Sequence, residues 1–563
     1  MVLAPAQHRP LVGLALAVAL GTLLGLSFPL SVWPHVSAAA LCVALALSRK
    51  RNRGTGLLLA AFFYAAGNGA FSATRDRLRS EALLALQESR TQVQLTGTIL
   101  TEPDGRPLPH GGARLSFRLR VLAATDADGA PLPLPRHLLP MPLDVDFYAP
   151  ESYLGENPTR QVPLAGEGWT FSGRIRARDV PFQEAPLLSL RTSVDDPHAR
   201  VSSADASPWR QTLWGLRRET ARRLALGIGE KRRDVAILRA VLLGYRSDVP
   251  DDVRDLFANS GTVHFFAISG LHILLIAGLF RGVLNRIGLP HRTQGLLLIP
   301  ALIAYTVLTG GRPSAARACI MTSLYCAGTV FQRRPDALSS VAAAAVAILA
   351  MDPMQLGDLG FVFSFASVLG ILLLTPSLKV MFETPFRRSE DTPEDEAETL
   401  IARMEAARPT VSESGQRPSF AVQCLSDAAI WCMGLPRRAA MAMAVSIAAW
   451  AVAEPITAHV FGQMVPVSMF SNVVVIPLGS LTVASAVLGL VAGCIAPMLE
   501  APFNMLSAAL VDAMVGTTGF FARLPFGHFE TEPWPMAAVA VWYACVLFMA
   551  LVLHVAMGRF RKK

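Results

Sequence analysis

Histidine, serine, arginine and aspartate recur at places where the surrounding chain is otherwise apolar. The stretch Gly261-Thr-Val-His-Phe-Phe-Ala-Ile-Ser-Gly-Leu-His272 carries His264, Ser269 and His272; Arg312, Ser314 and Arg317 follow, then Asp352 and Asp358. Ionisable groups inside apolar spans are costly and face a cavity or one another. On a helix at 100° per residue, His264, Ser269 and His272 fall within about 140° of arc, on one face. Arginine holds phosphate bidentately, and serine or histidine adds hydrogen bonds. The set therefore suits a polar vestibule of mixed sign. The rival chemistry is nucleophilic, with Ser269, His272 and an aspartate as a triad. Against it, no nucleophile elbow surrounds Ser269, and serine and histidine also pack helices in bilayers. A metal shared by His264 and His272 is weaker still, because an offset of about 80° over two turns is poor for one ion. No catalytic residue, metal ligand or cofactor is expected.

The elements that must position these residues are membrane helices. The chain has 563 residues, 52% hydrophobic and 17% charged, against about 25% charged in ordinary globular proteins. Apolar runs recur at 11–28, 36–47, 56–73, 264–280, 294–309, 315–331, 337–351, 357–375, 439–460, 465–495, 503–521 and 536–557. A bilayer core needs about 20 apolar residues per helix, and shorter helices are tolerated in a bundle, so about twelve spans are expected. The first run is read as a retained helix, since no A-x-A-like site ends it and further spans follow. Basic residues collect at Arg49–Arg53, Arg281–Arg292, Arg333–Arg334, Arg437–Arg438 and Arg559–Lys563. Placing these in the cytoplasm puts both termini inside and the long segment after Ala73 outside. In that scheme 465–495 crosses once, and Pro477 and Gly479 mark it as a broken helix lining a cavity or buried in protein. The net charge of +9 is thus mainly topological.

The outer segment reads as a soluble β domain. Strands are expected at 91–100, 113–124, 141–149, 168–178 and 187–193; alternation is clearest where Leu115, Phe117, Leu119 and Val121 interleave with Arg114, Ser116, Arg118 and Arg120. Five short strands suit an OB-type barrel, a class that often binds single-stranded nucleic acid, with a β-sandwich as the alternative. From Arg75 to Pro208 there are 15 basic and 17 acidic residues, a balance that does not favour phosphate binding by the barrel alone. Next comes a basic amphipathic helix. Trp209, Leu213, Leu216, Thr220 and Leu224 form its apolar stripe, and Arg210, Arg217, Arg218, Arg222 and Arg223 cover much of the rest; such a helix is expected in the headgroup region, with contact to incoming phosphates as the alternative. The piece from Glu383 to Pro436, acidic and then Ser/Pro-rich, is expected to be a disordered cytoplasmic insertion. The seven cysteines fall outside the β domain and are read as free thiols. The expected organisation is: 1–73, first spans; 74–208, external barrel; 209–260, basic helices; 261–380, first part of the membrane core; 381–436, insertion; 437–563, second part of the core.

The stretch ending in Ala267-Ile-Ser-Gly-Leu-His272 resembles the signature of the ComEC family of competence DNA-uptake channel proteins. Leu242-Leu-Gly-Tyr-Arg246, Leu308-Thr-Gly-Gly-Arg-Pro-Ser314 with Arg317, Asp352-Pro353 with Asp358-Leu-Gly-Phe-Val-Phe-Ser-Phe365, and Phe461-Gly-Gln463 with Asn472 and Pro477 are similar to further family elements in the same order. Gly166-Glu-Gly-Trp-Thr-Phe-Ser-Gly-Arg174 resembles a late strand of the family's amino-terminal domain. The resemblance implies an inner-membrane channel for single-stranded DNA that is not an enzyme. It adds Arg246 and Asn472 to His264, Ser269, His272, Arg312, Ser314, Arg317 and Asp358 as channel-lining candidates. Implied partners are the lipid bilayer, a periplasmic DNA receptor, a cytoplasmic DNA translocase and a second copy of the chain. Two departures stand out. No His-x-His-x-Asp-His run is present, so the metallo-β-lactamase-like nuclease of many members is expected to be on a separate polypeptide or absent. Val460 also stands where members commonly have a histidine before Phe-Gly-Gln, with His459 one place earlier.

Overall fold

The computed structural model describes residues 10–27, 38–39, 42, 53–88, 92–100, 104–107, 113–126, 141–149, 167–178, 187–193, 198–202, 208–229, 233–333, 336–383 and 435–560. The expected span at 36–47 and the expected insertion fall almost wholly outside these residues. The chain divides into two compact units, Met1–Phe365 with Pro477–Ala522, and Ala366–Ile476 with Arg523–Lys563.

In the first unit, α1 (Pro10–Ser27) lies along α2 (Arg53–Glu88). Gly21 and Gly25 make this crossing close: a Cβ on either would run into the Phe62 or Ala66 carbonyl oxygen of α2. Small residues four apart let two apolar helices touch backbone to backbone, gaining van der Waals contact where no hydrophobic driving force exists. α2 runs without a break through residues 73 and 74, the expected domain boundary, and carries Leu83 and Leu84 into the β domain.

All five expected strands form: β1 (Val93–Ile99), β3 (Ala113–Asp126), β4 (Met141–Ala149), β5 (Gly168–Arg178) and β6 (Leu187–Ser193). Two short ones join them, β2 (Asp104–Pro107) on β3 and β7 (His198–Ser202) on β5. Pairing runs β1-β3-β4-β6-β5 and returns to β1, antiparallel throughout except for parallel β4–β6. That closes a five-stranded barrel of the OB type. Alternate residues point inward, and Phe117, Phe147, Trp169 and Phe171 fill the interior with Leu83 of α2. The Trp169 ring stacks on Phe171 at 5.6 Å and donates through Nε1 to Glu167 at 2.8 Å. On the outer face Arg114 forks onto Asp146 (2.9 and 2.7 Å) and Arg118 pairs with Asp144 (2.9 Å). The Asp144 hydrogen bond pushes the Arg118 guanidinium pKa up. Cross-strand pairing thus engages both arginines with acids.

Downstream lie α3 (Pro208–Arg223), α4 (Arg233–Leu243), α5 (Asp251–Asn259), α6 (Gly270–Arg286), α7 (His291–Leu308), α8 (Pro313–Val330), α9 (Ala337–Met351) and α10 (Leu359–Glu383). Further along the chain come α11 (Leu435–Phe461), α12 (Ser468–Ile495), α13 (Glu500–Ala522) and α14 (Met536–Phe560). In the second unit α11 and α14 are pinned by Trp542 donating to the Ala451 carbonyl and Tyr543 to that of Val452, both at 2.8 Å. A two-residue ladder joins β8 (Gln463–Met464) to β9 (Phe529–Glu530).

This is a membrane protein. Five helical stretches among the described residues are long and apolar enough to span: Leu57–Glu81, Leu359–Lys379, Arg438–Phe461, Ser468–Ile495 and Pro497–Ala522. Shorter apolar helices lie at Leu11–Ser27, Ala337–Met351 and Met536–Val552. α6, α7 and α8 occupy the other runs read as spans. One expectation is corrected: α12 is a continuous helix through Pro477 rather than a broken one. The missing proline N–H removes a ladder bond without ending the helix, which neighbouring groups in a membrane bundle tolerate. Among the described residues Cys42, Cys319, Cys326, Cys494 and Cys545 are free thiols; Cys424 and Cys432 lie outside them.

Candidate functional site

Three stretches far apart in sequence meet beside the C-terminal end of α4 in the first unit. Gly244 ends that helix with φ +81°, a left-handed conformation open to glycine, and turns the chain away. The carbonyls exposed by the turn are taken by side chains from elsewhere. Arg312 Nη2 donates to Gly244 O at 2.7 Å, Tyr305 OH to Leu242 O at 3.1 Å, and Arg217 Nη2 to Leu243 O at 2.6 Å. Arg246 Nε donates to Phe266 O at 3.0 Å, and Arg254 Nη2 to Arg246 O at 2.8 Å. Ser314 Oγ donates to Ile268 O at 2.9 Å. Guanidinium-to-carbonyl bonds of this kind are charge-assisted and stronger than neutral ones. Arg246, Arg312 and Ser314 are therefore brought together around the loops at 242–246 and 261–269.

The stretch from Val263 to His272 is not one helix. Val263–Phe266 form a 3-10 turn, Ala267 is extended, and α6 starts at Gly270 with Ser269 as its N-cap (φ −100°, ψ 172°). The single face expected for His264, Ser269 and His272 is thus corrected. The physical reason is local capping. His272, third residue of the helix, reaches back so that its Nδ1 accepts the Ser269 N–H at 3.2 Å and lies 3.1 Å from Ser269 Oγ. This is a capping box with histidine in the place of Glu or Gln. Because Nδ1 accepts a backbone N–H, the neutral ring carries its proton on Nε2. That nitrogen is buried with no partner among the described residues. A triad needs an acid at that second nitrogen to orient the base; Asp358 instead faces Arg317. His264 is exposed, with Nδ1 3.3 Å from Gly261 O.

Arg317, on α8, is buried; its Nη1 lies 3.5 Å from Asp358 Oδ1. The same Asp358 oxygen accepts the Phe361 N–H at 2.8 Å and so caps α10. A Cβ on Gly270 would touch Ala318 at 3.7 Å, so the start of α6 lies against α8 beside Arg317. Asn472 belongs to the second unit, on α12, where its Oδ1 is buried without a partner among the described residues. His459, also there, lies with Nδ1 2.5 Å from Trp534 O. No group of three His, Cys, Asp or Glu side chains that would hold a metal occurs among the described residues.

The expectation for α3 is corrected as well. Arg217, read as part of its polar face, is 4% exposed, whereas Leu216, read as apolar stripe, is 55% exposed. The guanidinium sits over the Tyr245 ring at 4.3 Å and the Trp214 ring at 5.4 Å. Arg217, Tyr305 and Arg254 were not singled out from sequence as part of this site. Leu213, Arg217, Ala221 and Leu224 do share helical spacing, the signal that could have marked Arg217 as inward.

The comparisons with known proteins bear on this same segment. The Competence protein family matches residues 241–556, more than half of the chain and all the loops just described. The chain belongs to the Competence protein family. Within it, the chain is 35% identical over 138 residues to ComE operon protein 3 of Bacillus subtilis (strain 168), covering 24% of this chain and 18% of that one. It is 30% identical over 240 residues to Uncharacterized protein YcaI of Escherichia coli (strain K12), covering 38% and 29% respectively. The chain thus matches less than a third of the length of either relative. No solved structure matches it.

Proposed function

We propose that this chain forms an inner-membrane passage through which single-stranded DNA enters the cytoplasm during natural transformation, both termini being cytoplasmic and the barrel external. Membership of the Competence family supports a role in competence DNA uptake. The observation that carries the finer reading is the convergence of Arg246, Arg312 and Ser314 on two loops, with Arg317 close by on α8. Cationic and hydroxyl groups gathered at the ends of membrane helices suit a phosphate-bearing strand, and a polar lining is what such a pore needs. The protein acts as a conduit rather than an enzyme, about twelve helices crossing the bilayer. It works with a periplasmic DNA receptor and a cytoplasmic translocase.

A deletion strain tests the function: transformation should disappear while DNA binding at the cell surface persists. Arg312→Ala and Arg317→Ala, at normal protein level, should lower DNA entry into the cytoplasm without lowering surface binding. Normal transformation by the deletion strain would refute the passage; normal transformation by both variants would remove these arginines from its lining.

A further inference from the structure

The helix expected on the membrane surface, α3, is held between structures that the proposed topology puts on opposite sides. Arg217 binds the Leu243 carbonyl and fills the space beside Gly310, where a Cβ would stand 3.2 Å from its Nη1. Gly310 follows the C-terminal end of α7. Six residues further along α3, Arg223 Nε reaches both oxygens of Glu500 (3.0 and 3.1 Å), and its Nη2 donates to Leu490 O at 3.0 Å, in the last turns of α12. Asn504 of α13 closes the end of α3 by donating to Arg223 O and Leu226 O at 2.8 and 3.1 Å, groups that a helix end otherwise leaves unsatisfied. In the proposed topology five crossings separate the end of α7 from the end of α12, which puts the two ends toward opposite sides of the bilayer. The segment from Arg217 to Arg223, about 9 Å of helix whose two long side chains reach toward either end, therefore lies within the depth of the bundle.

The return path agrees. Arg233, first residue of α4, pairs with Asp512 midway along α13 at 2.8 Å, and Val235, Ile237, Leu238, Ala240 and Val241 are fully buried. α4 then ends at Leu243, beside Gly310 again. The chain goes in along α3 and comes back along α4, so the barrel and the loop at 244–262 remain on one side.

The other face of α3 decides what it adjoins. Thr212, Arg218, Glu219 and Arg222 are exposed, and a Cβ on Gly215 among them would meet nothing within 4 Å. At 100° per residue these five positions share about 120° of arc. Charged side chains at membrane depth face a water-filled cavity or protein, not lipid. We propose that α3 and α4 form a re-entrant hairpin and that the Gly215–Arg218–Arg222 face of α3 lines the aqueous path, its two guanidiniums contacting the phosphates of the passing strand. This rests on the DNA-passage reading above. Arginine is suited to the role because it grips phosphate while carrying less tightly held water than lysine.

The test uses the full-length chain in competent cells, with native cysteines replaced and single cysteines placed by Gly215→Cys, Arg222→Cys or, as a control on the barrel surface, Leu122→Cys. A small water-soluble sulfonated methanethiosulfonate is added outside, and labelling and transformation are measured before and after. Labelling at 215 and 222 should each cut transformation tenfold or more, and added single-stranded oligonucleotide should slow labelling there; labelling at 122 should leave transformation unchanged. Labelling at 215 and 222 without loss of transformation would return α3 to the membrane surface and overturn the proposal. So would the absence of labelling in a protein that still transforms cells. Arg218→Glu with Arg222→Glu should likewise lower transformation tenfold or more, and the corresponding lysine pair should keep most of it; equal activity of the two pairs would overturn the phosphate contact. Should the deletion strain transform normally, the passage reading fails and this proposal with it, a result distinct from a labelled yet active channel.

Discussion

Arg217 holds the Leu243 carbonyl while its guanidinium lies over the Tyr245 and Trp214 rings, and Trp214 packs against the barrel core. Truncation to alanine would leave a buried carbonyl unpaired and remove a desolvated cation–π contact. Arg217→Ala should therefore cost about 2–4 kcal/mol of stability, read as a lower unfolding midpoint in detergent, and Arg217→Lys should recover only part, since lysine lacks the planar fork. Ser269 and His272 raise a different question, because a serine hydroxyl 3.1 Å from an imidazole nitrogen is also how a nucleophile meets its base. Removing one packing hydroxyl costs about 1 kcal/mol in a membrane bundle, whereas removing a triad nucleophile costs several orders of magnitude in rate. Ser269→Ala should keep measurable DNA uptake and Ser269→Trp should abolish it, with His272→Ala between them. Transformation frequencies at matched expression decide; alanine as inactive as tryptophan would favour the nucleophilic triad.

The helix pair α1–α2 and the barrel beyond it rest on different forces. Where α1 crosses α2, contact is between backbones, so Gly25→Ile should force the helices apart and sharply lower the amount of protein in the membrane. Gly13→Ala, facing only the Leu58 side chain at 3.8 Å, should leave that amount unchanged, as quantitative immunoblotting of membranes would show. In the barrel, burial dominates. Trp169 is 2% exposed, and Trp169→Ala should destabilise the domain by about 3–5 kcal/mol, detectable as loss of near-ultraviolet circular dichroism and earlier thermal unfolding.

For the whole molecule, the proposed topology makes a prediction independent of DNA. With native cysteines removed, Leu122→Cys on the barrel should react with a membrane-impermeant maleimide in intact cells. Leu400→Cys, in the stretch expected to be cytoplasmic, should react only after permeabilisation. Labelling at 400 in intact cells would reverse the assignment that places the barrel outside.

Much of this architecture is local in origin and was legible in the chain. Apolar runs marked helices because lipid-spanning segments need unbroken apolar length, and the alternation through Arg114–Val121 marked β3 because side chains on a strand switch faces at each residue. The order of the Ala267–His272, Leu308–Ser314 and Phe461–Gln463 elements carried the family. Tertiary structure alone decided which carbonyls Arg246, Arg312 and Ser314 would meet, that β4 would pair parallel with β6, and that Leu83 from α2 would help fill the barrel. It also turned Arg217 inward and broke the expected helix at Ser269. Periodicity reports which side of an element a residue occupies, whereas a guanidinium's partner is set by backbone that arrives from 26 to 68 residues away; no window of sequence contains that contact.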